Sequence, residues 1–249
     1  IIPLYLPRGQ REEDITFLAD EFRSLYTRFS ELTGKKPTSE DLLAAIKREE
    51  GSDLLLAKLY KSRQQMGLSN LDFYRLVRSR EYLPAEHFLT LAEKTLQTGA
   101  QPQPGIPIIL SGIIPEPMEV LKTVDEMNGQ IVADDLAACG RRLYEPGVSP
   151  EPFRRMAERI LYAPPDPTRG NSIEERVKYL VEMAQNSGAK GIIFYEVKFC
   201  EPELFDLPNL RNALKEHGLA SIIIEEDINN PLPHQIATRI SAFLEMLDN

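Results

Sequence analysis

The sequence contains few cysteines and histidines, the residues that form disulfides in small secreted proteins and bind metal ions. Its 249 residues include two cysteines, Cys139 and Cys200, and three histidines. Two cysteines are too few for a disulfide-stapled fold, and thiols inside cells stay reduced. A closed metal site needs several Cys or His ligands together, and neither cysteine lies in a C-x-x-C pair. The sequence therefore predicts a cytoplasmic protein that does not encode a complete metal site within these residues.

Long apolar runs and an excess of positive charge are also missing. No apolar segment approaches the roughly 20 residues that a membrane-spanning helix needs, so we expect no membrane partner. The formal net charge is −9, whereas non-specific nucleic-acid binding needs Lys and Arg to displace counterions from phosphates. We therefore expect no nucleic-acid partner either.

The common phosphate-binding motifs are absent as well. No G-x-G-x-x-G follows a predicted strand and no G-x-x-x-x-G-K-[ST] occurs, which disfavours nucleotide binding. A phosphate-accepting signalling domain is disfavoured because the acidic pair Asp134 and Asp135 follows the second predicted strand instead of the first. The third interpretation is cysteine ligation of a metal or cluster, with the missing ligands supplied by an amino-terminal portion or another subunit.

The patterns that are present divide the chain into three parts. Residues 1–6 have the composition of a buried strand with no partner nearby, so we expect them to be the last strand of a missing amino-terminal half of a longer protein. Residues 7–99 predict a helical region, and residues 100–249 an α/β domain, with a linker at 98–105 that is rich in Pro and Gly. The predicted helices of the helical region are 11–33, 39–66, 71–79 and 84–96.

The third part alternates between short apolar runs and amphipathic segments. This alternation predicts a parallel sheet wound by right-handed crossovers. We predict a flavodoxin-like, four-stranded sheet in the order 2-1-3-4 with helices on both faces. Its switch point, where ligands bind in such folds, lies between the first and third strands. The predicted strands are 106–110, 131–133, 191–195 and 220–225, and the predicted helices are 116–127, 150–162, 172–186, 203–217 and 232–247.

Residues 191–202 are the segment on which the candidate site depends. An apolar strand ends there and leads directly into Lys198, Cys200 and Glu201, before Pro202 opens a helix. The loops at 111–115 and 134–142 would lie beside this segment at the carboxyl edge of the sheet. From spacing alone, Cys200 is also compatible with a half-buried free cysteine that has no function.

Several stretches of the chain form a recognisable set of motifs. They are YEVKFCEP at 195–202, FDLP at 205–208, VADDL at 132–136, Gly140, Arg142, and the carboxyl-terminal stretches 225–228 and 238–246. This set resembles the 2-hydroxyacyl-CoA dehydratase and benzoyl-CoA reductase family of iron–sulfur proteins. The likeness covers essentially the whole chain in layout, with specific motifs from about residue 106 onward.

The resemblance implies a cluster-bearing subunit with two flavodoxin-like halves and a helical segment between them. A 4Fe-4S cluster would be held by three cysteines, two from the amino-terminal half and the third being Cys200. An ATP-hydrolysing iron–sulfur activator would deliver an electron for ketyl radical chemistry on a CoA thioester, leading to 2-hydroxyacyl-CoA dehydration or benzoyl-CoA-type ring reduction. The implied partner is a homologous second subunit, and the setting is anaerobic metabolism.

The resemblance also assigns roles to residues near Cys200. Cys139 does not match the position where the family commonly has a cysteine, so it is not taken as a ligand and would line the pocket. Arg141 and Arg142 would hold CoA phosphates or a carboxylate, or else form ion pairs. The candidate pocket residues are Ser111, Gly112, Asp135, Arg141, Arg142, Glu196 and Lys198.

Two hypotheses on function follow. An enzyme subunit requires two further cysteines encoded upstream of residue 1, whereas a non-catalytic assembly or binding subunit of the same fold does not. In the first case, we expect the 249-residue chain alone to be catalytically silent and to hold no stoichiometric cluster after anaerobic reconstitution.

Overall fold

The carboxyl-terminal part of the molecule is built on one parallel sheet. The computed structural model describes residues 1–98 and 104–248. Within them, four parallel strands pair in the order β2-β1-β3-β4. The order is the predicted one, so the flavodoxin-like arrangement with its switch point between β1 and β3 is confirmed. The strands are β1 (Ile106–Gly112), β2 (Gly129–Leu136), β3 (Gly191–Val197) and β4 (Ala220–Glu226).

Helices cover both faces of this sheet because alternate strand residues point to opposite sides. The helices of this part are α5 (Glu119–Glu126), α6 (Pro152–Leu161), α7 (Ile173–Ser187), α8 (Glu201–Glu216) and α9 (His234–Asp248). Ile108 belongs to the apolar core beneath α5 and α9, whereas Ile109 belongs to the core beneath α7 and α8. Both residues are fully buried, as expected for a sheet with two covered faces.

Four helices precede the sheet, as predicted, with differences at their ends. They are α1 (Glu12–Thr33), α2 (Ser39–Lys61), α3 (Asn70–Tyr82) and α4 (Ala85–Gln97). Gly34 caps α1 at φ 67°, a left-handed conformation that glycine adopts without strain. The second helix passes through Gly51 but ends at Lys61 instead of residue 66. None of the helices in the described ranges combines the length and apolar character needed to cross a membrane.

The helical region packs against the sheet and shares its core. Leu59 and Phe73 lie in one apolar cluster with Leu110 of β1, and α1 packs against α6 through a separate cluster that includes Leu18 and Ala157. The division into domains at residues 99 and 100 stays a prediction. The predicted linker falls largely on residues 99–103, which lie outside the described residues.

Residues 1–6 form no strand in this structure and are mostly exposed. The predicted strand required a partner from another part of a longer protein. It therefore stays a prediction, and the segment contributes no core residue to the fold described above.

Candidate functional site

The first and third strands approach each other closely at the carboxyl edge of the sheet. Gly112, the last residue of β1, pairs in register with Tyr195 of β3. It has φ 146°, and a Cβ at this position would lie 2.0 Å from the Tyr195 carbonyl oxygen. A side chain would therefore force the strands apart, so the predicted pocket residue Gly112 shapes the backbone of the switch point.

The adjacent aspartates at the end of β2 point to opposite faces. Asp134 accepts hydrogen bonds from the hydroxyl groups of Tyr60 in α2 and Tyr74 in α3. Asp135 instead faces α7 and α8, and it accepts a hydrogen bond of 3.0 Å from the Ser111 hydroxyl. The predicted pocket residues Ser111 and Asp135 are thus in direct contact.

A network of buried charges continues from Asp135. Arg141 donates from Nε and Nη2 to the two Asp135 carboxylate oxygens at 2.8 and 3.1 Å, and from Nη1 to Glu203. Arg176 donates from Nη2 to the other Glu203 oxygen at 3.0 Å. Every side chain in the set is at most 2 % exposed. We call Asp135, Arg141, Arg176 and Glu203 the charge network.

The two adjacent arginines after β2 are separated by the fold. The Arg141 side chain is 1 % exposed and is fully engaged as an ion pair, with Asp166 as a further partner at 3.3 Å. Arg142 is 50 % exposed and pairs with Glu81 of α3, on the wall of a cleft of about 390 Å³ that Cys139 also lines. Both arginines form ion pairs in the structure. Their alternative role, holding CoA phosphates or a carboxylate, stays a prediction.

Glu196 of β3 is buried beside the charge network. It is 1 % exposed, and neither of its carboxyl oxygens has a hydrogen-bond partner among the described residues. Burial, reinforced by the negative charge of Glu203, raises the pKa of Glu196 to about 8, although Arg141 and Arg176 act in the opposite direction. This shift favours the protonated form of Glu196 at neutral pH.

Cys200 lies at the surface of the same edge, at the position that precedes α8. Its thiol is free and half-buried, and burial raises the pKa of this thiol above its ordinary value. Lys198 is exposed, and Phe199 is 89 % exposed with a left-handed φ of 67°. The predicted residues Lys198 and Cys200 are therefore accessible, unlike Asp135, Arg141 and Glu196.

Cys139 occupies a different environment. It is buried at the end of β2 on the face of the helical region, and burial raises the pKa of its thiol well above the ordinary value. No group of three or more His, Cys, Asp or Glu side chains within 1–98 and 104–248 is arranged to hold a metal ion. Of the two thiols in these ranges, Cys200 is the accessible one, so it is the residue that could offer a thiolate to an iron–sulfur cluster.

Sequence reasoning missed two members of the charge network. Glu203 continues the apolar stripe of α8 formed by Leu207, Leu210 and Leu214, and Arg176 occupies a buried position of α7. A charged residue at a stripe position is a signal that it meets a buried partner, since unpaired charges are rarely buried. Two such positions on successive helices could have predicted this ion pair.

Comparison with known proteins identifies the family. The family model described as 2-hydroxyglutaryl-CoA dehydratase, D-component, matches residues 1–247. The chain therefore belongs to the family of 2-hydroxyglutaryl-CoA dehydratase D-components, and the resemblance found in the sequence is confirmed.

Several curated relatives agree with this assignment. The (R)-phenyllactyl-CoA dehydratase beta subunit of Clostridium sporogenes is 29 % identical, over 99 % of this chain and 68 % of the relative. Lactoyl-CoA dehydratase subunit beta of Anaerotignum propionicum is 29 % identical, over 70 % and 48 %. One of the benzoyl-CoA reductase subunits of Thauera aromatica is 24 % identical, over 97 % and 66 %. The chain thus spans between about half and two thirds of the length of these relatives.

Proposed function

We propose that this chain is part of a subunit of an enzyme that acts on CoA thioesters, either by dehydrating a 2-hydroxyacyl-CoA or by reducing a benzoyl-CoA-type ring. The observation that carries the proposal is the family match over residues 1–247. The relatives support both reaction classes, because their names include dehydratase beta subunits and a benzoyl-CoA reductase subunit.

The proposed cofactor is a 4Fe-4S cluster to which Cys200 supplies one thiolate. Two features support this role: the free, half-buried thiol at the carboxyl edge, and its position directly before α8, next to the exposed residues Lys198 and Phe199. The other cysteine ligands would come from residues encoded upstream of residue 1. When bound, such a cluster supplies single electrons at low potential.

The proposed partners are a homologous second subunit, an ATP-hydrolysing activator that delivers the electron for ketyl radical chemistry, and the CoA thioester. Within this chain, Lys198 is an accessible cation suited to an anionic group of the substrate. Ser111, Asp135 and Arg141 bind one another, so they would form the floor of the pocket and leave substrate contact to groups above them.

Iron and acid-labile sulfide content tests the cofactor proposal. The longest native form of the chain, purified without oxygen, is expected to hold about four irons, the content of a [4Fe–4S] cluster. The Cys200→Ser variant is expected to lose the iron or to hold it weakly. Cys139→Ser is the matched control, because Cys139 is buried on the opposite face, and it should keep the iron of the parent.

The alternative is a non-catalytic assembly or binding subunit of the same fold. If neither the parent nor Cys200→Ser holds iron, the cluster proposal fails and this alternative stands. If iron is present and depends on Cys200, turnover of 2-hydroxyacyl-CoA and benzoyl-CoA substrates, assayed with partner and activator, separates the two reaction classes.

A further inference from the structure

The backbone of Cys200 is fixed from both sides. Its N–H donates to the Val197 carbonyl oxygen at 3.1 Å, which closes a tight turn after β3. Its carbonyl oxygen accepts hydrogen bonds from the N–H groups of Glu203 and Leu204, at 3.2 and 3.1 Å. These are the first bonds of α8, so the position of the thiol depends on how the first turn of that helix is held.

The Glu203 side chain anchors this first turn to the protein interior. Its two carboxylate oxygens are bound by different arginines: Arg141, which follows β2, and Arg176 of α7. Glu203 is 2 % exposed, whereas Phe205 in the same turn is 85 % exposed. Leu204 of this turn packs, partly buried, against the apolar core beneath α7 and α8. Glu203 adds a buried ionic contact to the same turn.

The anchor extends to the first two strands. Arg141 donates hydrogen bonds to both carboxylate oxygens of Asp135, at 2.8 and 3.1 Å. Asp135 also accepts a hydrogen bond of 3.0 Å from the Ser111 hydroxyl. A bidentate pair of this kind fixes orientation as well as distance. A continuous chain of hydrogen bonds thus joins β1 and β2 to the helix turn that carries Cys200.

We propose that Glu203 is a positioning residue for Cys200. Its carboxylate is bound by Arg141 and Arg176 and holds the first turn of α8 in place. The thiol of Cys200 is thereby kept in one position at the carboxyl edge of the sheet. The importance of this for cluster binding rests on the proposed function. Residues behind metal ligands commonly orient them in this way.

A network that only stabilises the fold would behave differently. Replacing a buried ion pair is often nearly neutral for stability, whereas its geometry can specify one arrangement of the elements it joins. The proposal therefore predicts a local effect at the start of α8. General destabilisation predicts equal effects at both ends of the helix.

A nitroxide label on Cys200 measures the local effect directly. In the full 249-residue chain with Cys139→Ala, Cys200 is the single cysteine, and we expect the electron paramagnetic resonance spectrum of its label to contain a slow-motion component. Glu203→Gln should abolish that component. Glu201→Gln is the matched control, since Glu201 lies in the same turn but is exposed, and it should leave the spectrum unchanged.

A second label separates positioning from global loosening. It is attached at the exposed far end of α8, as His217→Cys in a background of Cys139→Ala and Cys200→Ala. We expect Glu203→Gln to leave the spectrum of this label unchanged. If Glu203→Gln does not fold, Arg176→Lys is the milder variant. It keeps the positive charge beside Glu203 but loses the guanidinium. We expect the spectrum of its Cys200 label to lie between those of the parent and of a fully mobile label.

An unchanged Cys200 label in these variants, or equal mobilisation of both labels, overturns the proposal. The labels report no iron, so the result is separate from the cluster assay. A chain without iron but with a mobilised label would refute the proposed cofactor and keep the positioning role. Iron bound through Cys200, together with an unchanged label spectrum in Glu203→Gln, would support the proposed cofactor and refute the positioning role.

Discussion

Asp134 and Asp135 are neighbours in the chain and serve opposite faces of the sheet with different chemistry. Asp134 is bound by neutral donors, the hydroxyl groups of Tyr60 and Tyr74 at 2.7 and 2.8 Å, together with two backbone N–H groups. Asp135 is bound by the guanidinium of Arg141. Asp134 thus has uncharged partners, whereas Asp135 belongs to a set of buried charges in contact.

The two cysteines and the two arginines repeat this division. Cys139 and Arg142 lie on the wall of the cleft beside the helical region, whereas Arg141 belongs to the charge network that is anchored to the turn of Cys200. The sheet therefore separates two environments. One is the face covered by the helical region, where Cys139 is buried, and the other is the face of the charge network, which lies next to the accessible thiol of Cys200. Substitutions on either side of the sheet can test that separation.

The largest effect is expected from Arg141→Met. The substitution removes the cation that hydrogen-bonds both Asp135 and Glu203. It leaves them with Arg176, which donates to Glu203 at 3.0 Å and lies 3.8 Å from an Asp135 oxygen. Breaking a buried pair in this way typically costs about 3–5 kcal/mol. Equilibrium unfolding in denaturant should show a loss of this size in the free energy of unfolding.

Arg142→Met is the matched control on the opposite face. Its pair with Glu81 is half exposed, and exposed pairs contribute about 0–1 kcal/mol. If Arg141→Met and Arg142→Met lost equal free energy of unfolding, the buried and the exposed ion pair would contribute equally, and the contrast between the two arginines would not hold.

The second prediction concerns the pH dependence of stability at Glu196. Its pKa is 4.5 in an ordinary environment and about 8 in the fold. Between these values the folded carboxyl keeps its proton while the unfolded one loses it, so the free energy of unfolding falls as pH rises. Glu196→Gln removes this contribution. The variant should gain stability relative to the parent, by about 3 kcal/mol from about pH 5.5 to about pH 7.5.

Denaturant unfolding across that pH range checks the difference. Glu225→Gln is the control, because Glu225 pairs in register with Glu196 on β4 but is exposed, and its curve should run parallel to that of the parent. A Glu196→Gln curve that also runs parallel would show that the buried carboxyl is ionised in the fold.

The sequence was sufficient to predict the sheet order and the edge at which the site lies. Strand and helix periodicity are local properties, and the rules for parallel crossovers leave few topologies. Gly112, Asp135 and Cys200 were predicted at the carboxyl edge because they follow predicted strands, and the structure places them there. Helix ends were less accurate, as for α2 at Lys61, where a 3₁₀ turn follows.

The partners within the edge could not be predicted in the same way. Arg141 and Arg142 lie in a 3₁₀ turn, Gly140–Arg142, in which successive side chains point about 120° apart. They are therefore adjacent in the sequence and separate in the fold. The contact between Glu203 and Arg176 joins residues 27 positions apart on different helices, and only the packing of α7 against α8 determines it. The same packing decides that Glu196 is left without a hydrogen-bond partner among the described residues.

The smallest effect is expected from Tyr74→Phe, on the face of the sheet covered by the helical region. The substitution removes one of four donors to Asp134 and leaves the hydroxyl of Tyr60 and the backbone N–H groups in place. A hydrogen bond to a charged group contributes about 1.5–3 kcal/mol, and we expect the lower end because three donors remain. Denaturant unfolding should show this loss without a change in the Cys200 label spectrum. Combined with Glu203→Gln, the losses should add within about 0.5 kcal/mol, since independent sites without shared partners are additive. A larger deviation would show that the two faces are coupled through the sheet.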